Sequence, residues 1–182
     1  MKLWQIICLI GLLLIIVFNP KIQLTRIFVE QFKVYKNDKT HKISMFDILS
    51  FLIAPICISI LTSVSLPYEK VATSAGTIMT VFSIVATLLL SFLALLVDKS
   101  TTNQKEKEVI DQTFVTISVD IVYSIFVVML FVLPDFFIEF TDIIEKIFVG
   151  VVAFLIIKIL LNVFMILKRV HAILSNTGNS KK

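Results

Sequence analysis

Charged residues are scarce in this sequence. Asp, Glu, Lys and Arg make up 16% of its 182 residues, whereas about 25% is typical of soluble domains. Hydrophobic residues make up 58% and are gathered in long runs, and the longest polar interval, 19–47, is too short for a separate soluble domain. In lipid, a helix satisfies its own backbone polar groups. We therefore predict an all-α fold, a polytopic bundle of transmembrane helices.

Cysteine and histidine are also rare, with two of each in the chain. Cys8 and Cys57 lie in apolar runs, where cysteine behaves as a small hydrophobe, and His41 and His171 lie outside these runs. The signatures HExxH, GxSxG and CxxC are missing, and so is the glycine-rich phosphate loop. We therefore predict no catalytic residues, no bound metal and no cofactor, and thus a protein that is not an enzyme.

Five apolar runs are long enough, or nearly so, to cross a bilayer as helices, for which about 20 residues are needed. We predict one membrane domain, 1–182, whose spans are approximately 3–18, 48–66, 78–97, 114–133 and 147–167. The run 3–18 is the shortest. If it does not cross completely, the domain has four spans and an N-terminal interfacial helix.

Two other segments have the pattern of short amphipathic helices. Apolar residues recur at helical spacing through 20–36, and a second, acidic segment starts at Pro134. A helix with one apolar face is suited to the membrane interface, so we predict interfacial helices at both places. For 20–36, packing against the bundle without a role in lipid binding is an equally good interpretation.

Ionisable residues fall inside two predicted spans, Asp120 in one and Lys158 in the other. The two spans form an antiparallel hairpin, so at about 1.5 Å of rise per residue the two charges reach similar depths. Asn162, one turn after Lys158, lies closer still to the depth of Asp120. Because a charge at the bilayer centre costs at least ~2.5 kcal/mol and is usually paired, we predict a contact of Asp120 with Lys158 or with Asn162.

This intramembrane polar group has other interpretations. Lys158 can extend toward the headgroups while Asp120 bonds to a nearby hydroxyl, such as those of Ser118, Tyr123 or Ser124. A structural role and a proton or ion pathway are both compatible with the pattern.

Ser83, Thr87 and Ser91 recur at every fourth position of the predicted span 78–97. Small residues at this spacing let membrane helices approach closely. We predict helix packing along this stripe, either within the chain or between copies in a homo-oligomer. A pore lined by the hydroxyl groups is the alternative.

Lys and Arg are concentrated in the loop 19–47, in the linker after Asp98 and in the tail 168–182. By the positive-inside rule these segments are cytoplasmic, and so is the C-terminus. We predict that Lys33, Lys36, Lys39, Lys168 and Arg169 bind membrane lipid or a cytoplasmic protein partner. Direct binding of nucleic acid is not expected.

The stretch from Gly76 to Lys99, with a span before it and a charged linker after it, resembles small polytopic membrane proteins of bacterial phage-defence systems, in particular the membrane subunits of Kiwa systems. The resemblance implies an inner-membrane protein that is not an enzyme, forms oligomers, senses events at the envelope during infection and works with a cytoplasmic DNA-binding partner. It implies four spans rather than five. It assigns no role to individual residues.

Three functions are therefore compatible with the sequence. The first is a sensor or scaffold in an anti-phage defence complex, which oligomerises in the inner membrane and docks a cytoplasmic partner. The alternative is an oligomeric ion-conducting pore or membrane-depolarising effector, in which Asp120, Lys158 and the stripe of hydroxyl groups line water. A proton-coupled transporter that uses Asp120 is a third, weaker possibility.

Overall fold

The structure, a computed structural model, describes residues 24–34, 46, 49–97, 104–137 and 141–179. Within these ranges the chain is helical, with short connections and no strand. The elements are α1 (Leu24–Val34), a π-helical turn (Leu49–Ile53) that leads into α2 (Ala54–Ser65), α3 (Tyr68–Thr73), α4 (Ala75–Val97), α5 (Gln104–Phe137) and α6 (Asp142–Asn179). The predicted all-α class is confirmed for this part of the chain.

Three helical segments are long and apolar enough to cross a membrane: Ala75–Val97, Lys107–Val132 and Asp142–His171. They indicate a membrane protein. The predicted span 48–66 corresponds to the shorter apolar helix Leu49–Ser65, and the predicted span 3–18 lies outside the described residues. The structure thus supports a membrane bundle but does not confirm five spans.

The last two helices are longer than a bilayer requires. The 34 residues of α5 and the 38 residues of α6 reach roughly 50 Å and 57 Å at about 1.5 Å per residue, against about 30 Å of hydrocarbon. The segments 104–113 and 168–179, predicted as part of a linker and a tail, are therefore helical. Because the hairpin is antiparallel, both lie at the same end, and we call them the stalk.

The prediction of a separate interfacial helix starting at Pro134 is wrong. Helix α5 continues through Pro134 to Phe137, and α6 begins at Asp142. A proline is tolerated within a membrane helix when other groups satisfy the carbonyl that it frees. The acidic connection is accordingly divided between the ends of two long helices.

Helix α1 packs on α5. The rings of Phe28 and Tyr123 lie 5.6 Å apart between centroids, and Gln31 is buried. Arg26 and Glu30 form an ion pair on the exposed side of α1. This arrangement agrees with the bundle-packing interpretation of 20–36.

The core lies where α4, α5 and α6 meet. Helix α4 contributes Phe82, Leu89 and Leu96, which are spaced seven residues apart and form its buried side. Two apolar clusters fill the interface; the first contains Phe82, Val127, Phe131, Phe148, Val152, Leu155 and Ile159, and the second Leu89, Leu96, Ile117, Ile121 and Ile166. Helix α6 packs on α2 and α5, and α5 packs on α4, so the hairpin is the centre of the bundle.

Gly150 allows α2 and α6 to approach closely. The Ser59 hydroxyl donates a 2.6 Å hydrogen bond to the Gly150 carbonyl. A Cβ at position 150 would lie 3.3 Å from Cβ of Ser63 and 3.5 Å from Oγ of Ser59. Small residues thus form a packing interface here, as they do in many membrane helix pairs, and they tie α2 to the hairpin.

Replacing Gly150 with Leu should separate α2 from α6. We expect the free energy of unfolding to fall by ~1–3 kcal/mol, the usual cost of overpacking, measured by thermal unfolding in detergent with circular dichroism. Gly76 supplies the control, because a Cβ there meets nothing within 4 Å; Gly76→Leu should change stability by no more than ~0.5 kcal/mol. Equal effects of the two substitutions would contradict the close contact at Gly150.

Candidate functional site

Helix α5 carries four fully buried polar side chains, each with a relative exposure of 0%: Thr113, Thr116, Asp120 and Ser124. Their spacing of three or four residues places them on one face of the helix. Together with Asn162 of α6, also 0% exposed, we call them the polar seam. It is the candidate functional site, because polar groups inside a membrane bundle are costly and usually have a purpose.

The three hydroxyl groups of the seam are satisfied within α5 itself. Thr113 donates to the Val109 carbonyl at 2.6 Å, Thr116 to Gln112 at 2.9 Å and Ser124 to Asp120 at 2.8 Å. Threonine and serine commonly bond to the carbonyl four residues earlier in this way. The carboxylate of Asp120 has no such local donor, so its partner comes from another helix.

That partner is Asn162. Its side-chain Nδ2 donates a 2.7 Å hydrogen bond to Oδ1 of Asp120, and this bond joins α5 to α6. The remaining oxygens, Oδ2 of Asp120 and Oδ1 of Asn162, are buried and have no hydrogen-bond partner in the part of the chain that the structure describes. Of the two contacts that the sequence allowed for Asp120, the structure shows the one with Asn162.

Lys158 points to a different helix. Its ammonium group donates a 2.8 Å hydrogen bond to the Phe51 carbonyl and lies 6.0 Å from the centroid of the Phe51 ring. The side chain is 5% exposed. Among the described residues, Lys158 and Asp120 do not form a direct ion pair, although the lysine charge acts on the carboxylate at longer range.

Pro55 explains why Lys158 bonds to Phe51. In an α-helix the N–H of residue 55 would bond to the carbonyl of residue 51, but proline has no N–H. The π-helical turn Leu49–Ile53 immediately precedes this position, and Pro55 is buried. At this place, where proline offers no N–H, the Phe51 carbonyl accepts a hydrogen bond from Lys158. A proline and a lysine deep in two spans are visible in the sequence, but their pairing depends on how the helices pack.

Arg169 contacts the stalk end of the seam. Its Nη1 donates to Oγ1 of Thr116 at 3.2 Å, and its side chain is half-buried, whereas that of Lys168 is exposed. Of the residues predicted to dock a partner or lipid, only Lys168 is thus seen on the surface. Lys33 lies in α1, but its side chain is not among those that the structure describes. Lys36 and Lys39 lie outside the described residues.

The stripe of Ser83, Thr87 and Ser91 lies on the exposed side of α4. Thr87 donates to the Ser83 carbonyl at 2.9 Å and Ser91 to the Thr87 carbonyl at 3.0 Å. Among the helices that the structure describes, the stripe is therefore not a packing face. That role belongs to the large residues Phe82 and Leu89 on the opposite side.

The described residues contain no group of three or more His, Cys, Asp or Glu side chains that could hold a metal ion. Comparisons of the chain with known protein families, with curated proteins and with solved structures find no match. The features of the molecule that bear on its function are therefore the seam, the stripe and the stalk.

The pairing of Lys158 with the carbonyl freed by Pro55 can be tested with a double-mutant cycle. Lys158→Met keeps most of the side-chain volume but removes the donor, and Pro55→Ala restores a backbone N–H. We expect Lys158→Met to be less destabilising, by ~1 kcal/mol, when Pro55→Ala is also present, since neighbours in one network couple by about 0.5–3 kcal/mol. Additive effects on thermal unfolding would contradict the pairing.

Arg169 and Lys168 should differ in their effects on stability. Arg169→Ala removes the hydrogen bond to Thr116, and we expect a loss of ~1 kcal/mol in unfolding free energy, whereas Lys168→Ala should stay within ~0.5 kcal/mol. Thr116→Val provides the control, because in that background Arg169→Ala should cost measurably less. If both alanine variants melt as the parent does, Arg169 does not hold the stalk.

Proposed function

We propose that this chain is an integral membrane sensor or scaffold, not an enzyme, which oligomerises in the membrane through α4 and docks a cytoplasmic partner at the stalk. The observation that carries the proposal is the two-sided character of α4. One side is buried against the hairpin through Phe82, Leu89 and Leu96, and the stripe of small residues on the other side has no partner within the described chain.

The chemistry of the stripe favours a second helix as its partner. The hydroxyls of Thr87 and Ser91 are bonded to carbonyls of their own helix, so they demand no further donor or acceptor. What remains on this side is a stripe of small side chains flanked by larger ones, Leu88 on one side and Leu90 on the other, which are 64% and 53% exposed. A stripe of this kind permits close helix contact in lipid.

The stalk is suited to docking because it projects beyond the hydrocarbon and carries charge of both signs. Lys107, Glu108, Asp111, Lys168 and His171 are exposed on it. Under the positive-inside rule this end is cytoplasmic. In the proposal it presents a rigid pair of helices to a soluble protein.

The setting in phage defence rests on the resemblance of Gly76–Lys99 to Kiwa membrane subunits. It would place the chain in a bacterial inner membrane and make the soluble partner a DNA-binding protein. Affinity purification in mild detergent tests this part separately: a stoichiometric soluble protein that elutes with the chain and is lost when the charges of the stalk are reversed supports it. Elution of the chain alone contradicts it.

The alternative function, an ion-conducting pore, is favoured by the presence of Asp120 and Lys158 within the bundle. The seam and the stripe, however, lie on opposite sides of the α4–α5 pair, since α4 turns Phe82 and Leu89 toward the hairpin and the stripe away from it. One lumen within this chain is therefore not lined by both. Ion leak from liposomes that is reduced by Asp120→Asn would favour the pore over the scaffold.

Disulfide cross-linking tests assembly through α4. In a chain whose Cys8 and Cys57 are replaced by Ala, Thr87→Cys should form covalent dimers in membranes under mild oxidation. Leu89→Cys is the matched control, because it lies about 3 Å away along the helix axis but on the buried side. Cross-linking at neither position, or equally at both, would contradict the proposed interface.

A further inference from the structure

Two oxygen atoms in the middle of the bundle need a hydrogen-bond donor. They are Oδ2 of Asp120 and Oδ1 of Asn162, both buried and both without a partner in the described part of the chain. They belong to side chains that are already joined by the 2.7 Å bond from Nδ2 of Asn162 to Oδ1 of Asp120. Leaving a buried acceptor unsatisfied is unfavourable, so two such atoms in one pair require an explanation.

The donor and acceptor inventory of the pair identifies what is missing. A carboxylate only accepts hydrogen bonds, whereas a protonated carboxyl donates one and still accepts others. The side-chain amide of asparagine both donates and accepts. A carboxylic acid and a primary amide therefore match each other in two hydrogen bonds, and a single proton on Oδ2 supplies the donor that Oδ1 of Asn162 lacks.

The charged groups around the pair are bonded elsewhere. On α6, Lys158 donates to the Phe51 carbonyl and Arg169 to Thr116. On α1, Arg26 is paired with Glu30. Helix α4 has no ionisable residue between Ala75 and Val97, and on α5 itself Lys107, Glu108 and Asp111 are exposed on the stalk. Within the described ranges no cation thus contacts Asp120 directly, and burying a charge without a contacting partner is very unfavourable.

We infer that Asp120 and Asn162 form a proton-binding site. The carboxyl of Asp120 takes up one proton from water on Oδ2, and this O–H donates to Oδ1 of Asn162 while Nδ2 of Asn162 continues to donate to Oδ1 of Asp120. No covalent bond other than the O–H changes. Proton binding removes one negative charge from the seam, and the Lys158 charge still acts on the site at longer range. The inference is independent of the proposed scaffold function.

Infrared spectroscopy of the purified protein in lipid tests the site directly. At neutral pH we expect a C=O stretching band of a protonated carboxyl, shifted in D₂O, that is present in the parent and absent in Asp120→Asn. Asp111→Asn is the matched control, since this carboxylate lies on the same helix but is exposed; its removal should leave the band in place. A parent spectrum without the band at neutral pH would overturn the inference.

Stability gives a second readout. Asp120→Asn can keep both hydrogen bonds to Asn162, because its amide also donates one and accepts one and adds only a second N–H; its melting temperature should therefore stay close to that of the parent. Asp120→Leu removes them and leaves Asn162 without a partner, so it should melt several degrees lower. If Asp120→Asn melts as low as Asp120→Leu, the negative charge is needed and the inference fails. Should Asp120→Asn not fold, the infrared band of the parent and its loss on raising the pH decide the question alone.

Discussion

The hydrogen bond from Lys158 to the Phe51 carbonyl joins α6 to the segment before α2 and, with the bond from Ser59 to the Gly150 carbonyl, holds that segment and α2 against the hairpin. Pro55 removes a backbone donor at a place where lipid offers none, and an unsatisfied backbone group there costs several kcal/mol. The ammonium group of Lys158 donates a 2.8 Å hydrogen bond to the Phe51 carbonyl. A charge that would be costly alone in the bundle thereby satisfies a backbone group that would also be costly alone. Burying the lysine and the carbonyl together is consequently less costly than burying either group alone.

The general fold was largely predictable from the sequence, because long apolar runs have few alternatives to helices in a bilayer. The residues at which the helices begin and end were less predictable. The linker 104–113 is charged, and hydropathy marks where a chain meets lipid rather than where a helix ends. Lys, Glu and Gln are good helix formers, and the burial of Ile110 and Thr113 continues α5 beyond the hydrocarbon.

Which side of each helix faces the core of the bundle was harder to predict. In a soluble helix the polar stripe lies opposite the core, but in lipid both the core and the surroundings are apolar, so hydropathy does not separate them. For this reason Ser83, Thr87 and Ser91 suggested a packing face, whereas α4 buries Phe82, Leu89 and Leu96. For a similar reason the sequence did not decide whether Lys158 or Asn162 is the partner of Asp120. The two residues are one turn apart on one face of α6, and only the register of the hairpin, seen in the Asn162–Asp120 and Arg169–Thr116 bonds, selects between them.

This register also separates two kinds of polar interaction in the bundle. Lys158 donates to a backbone carbonyl and Arg169 to a hydroxyl, both of them neutral acceptors. Asp120 is held by a neutral donor, the amide of Asn162. Among the described residues Asp120 is in no ion pair, so at the proposed site a proton can enter or leave its carboxyl without breaking one. Its effect on the bundle would then come through hydrogen bonding at the α5–α6 contact, between the two helices whose ends form the stalk.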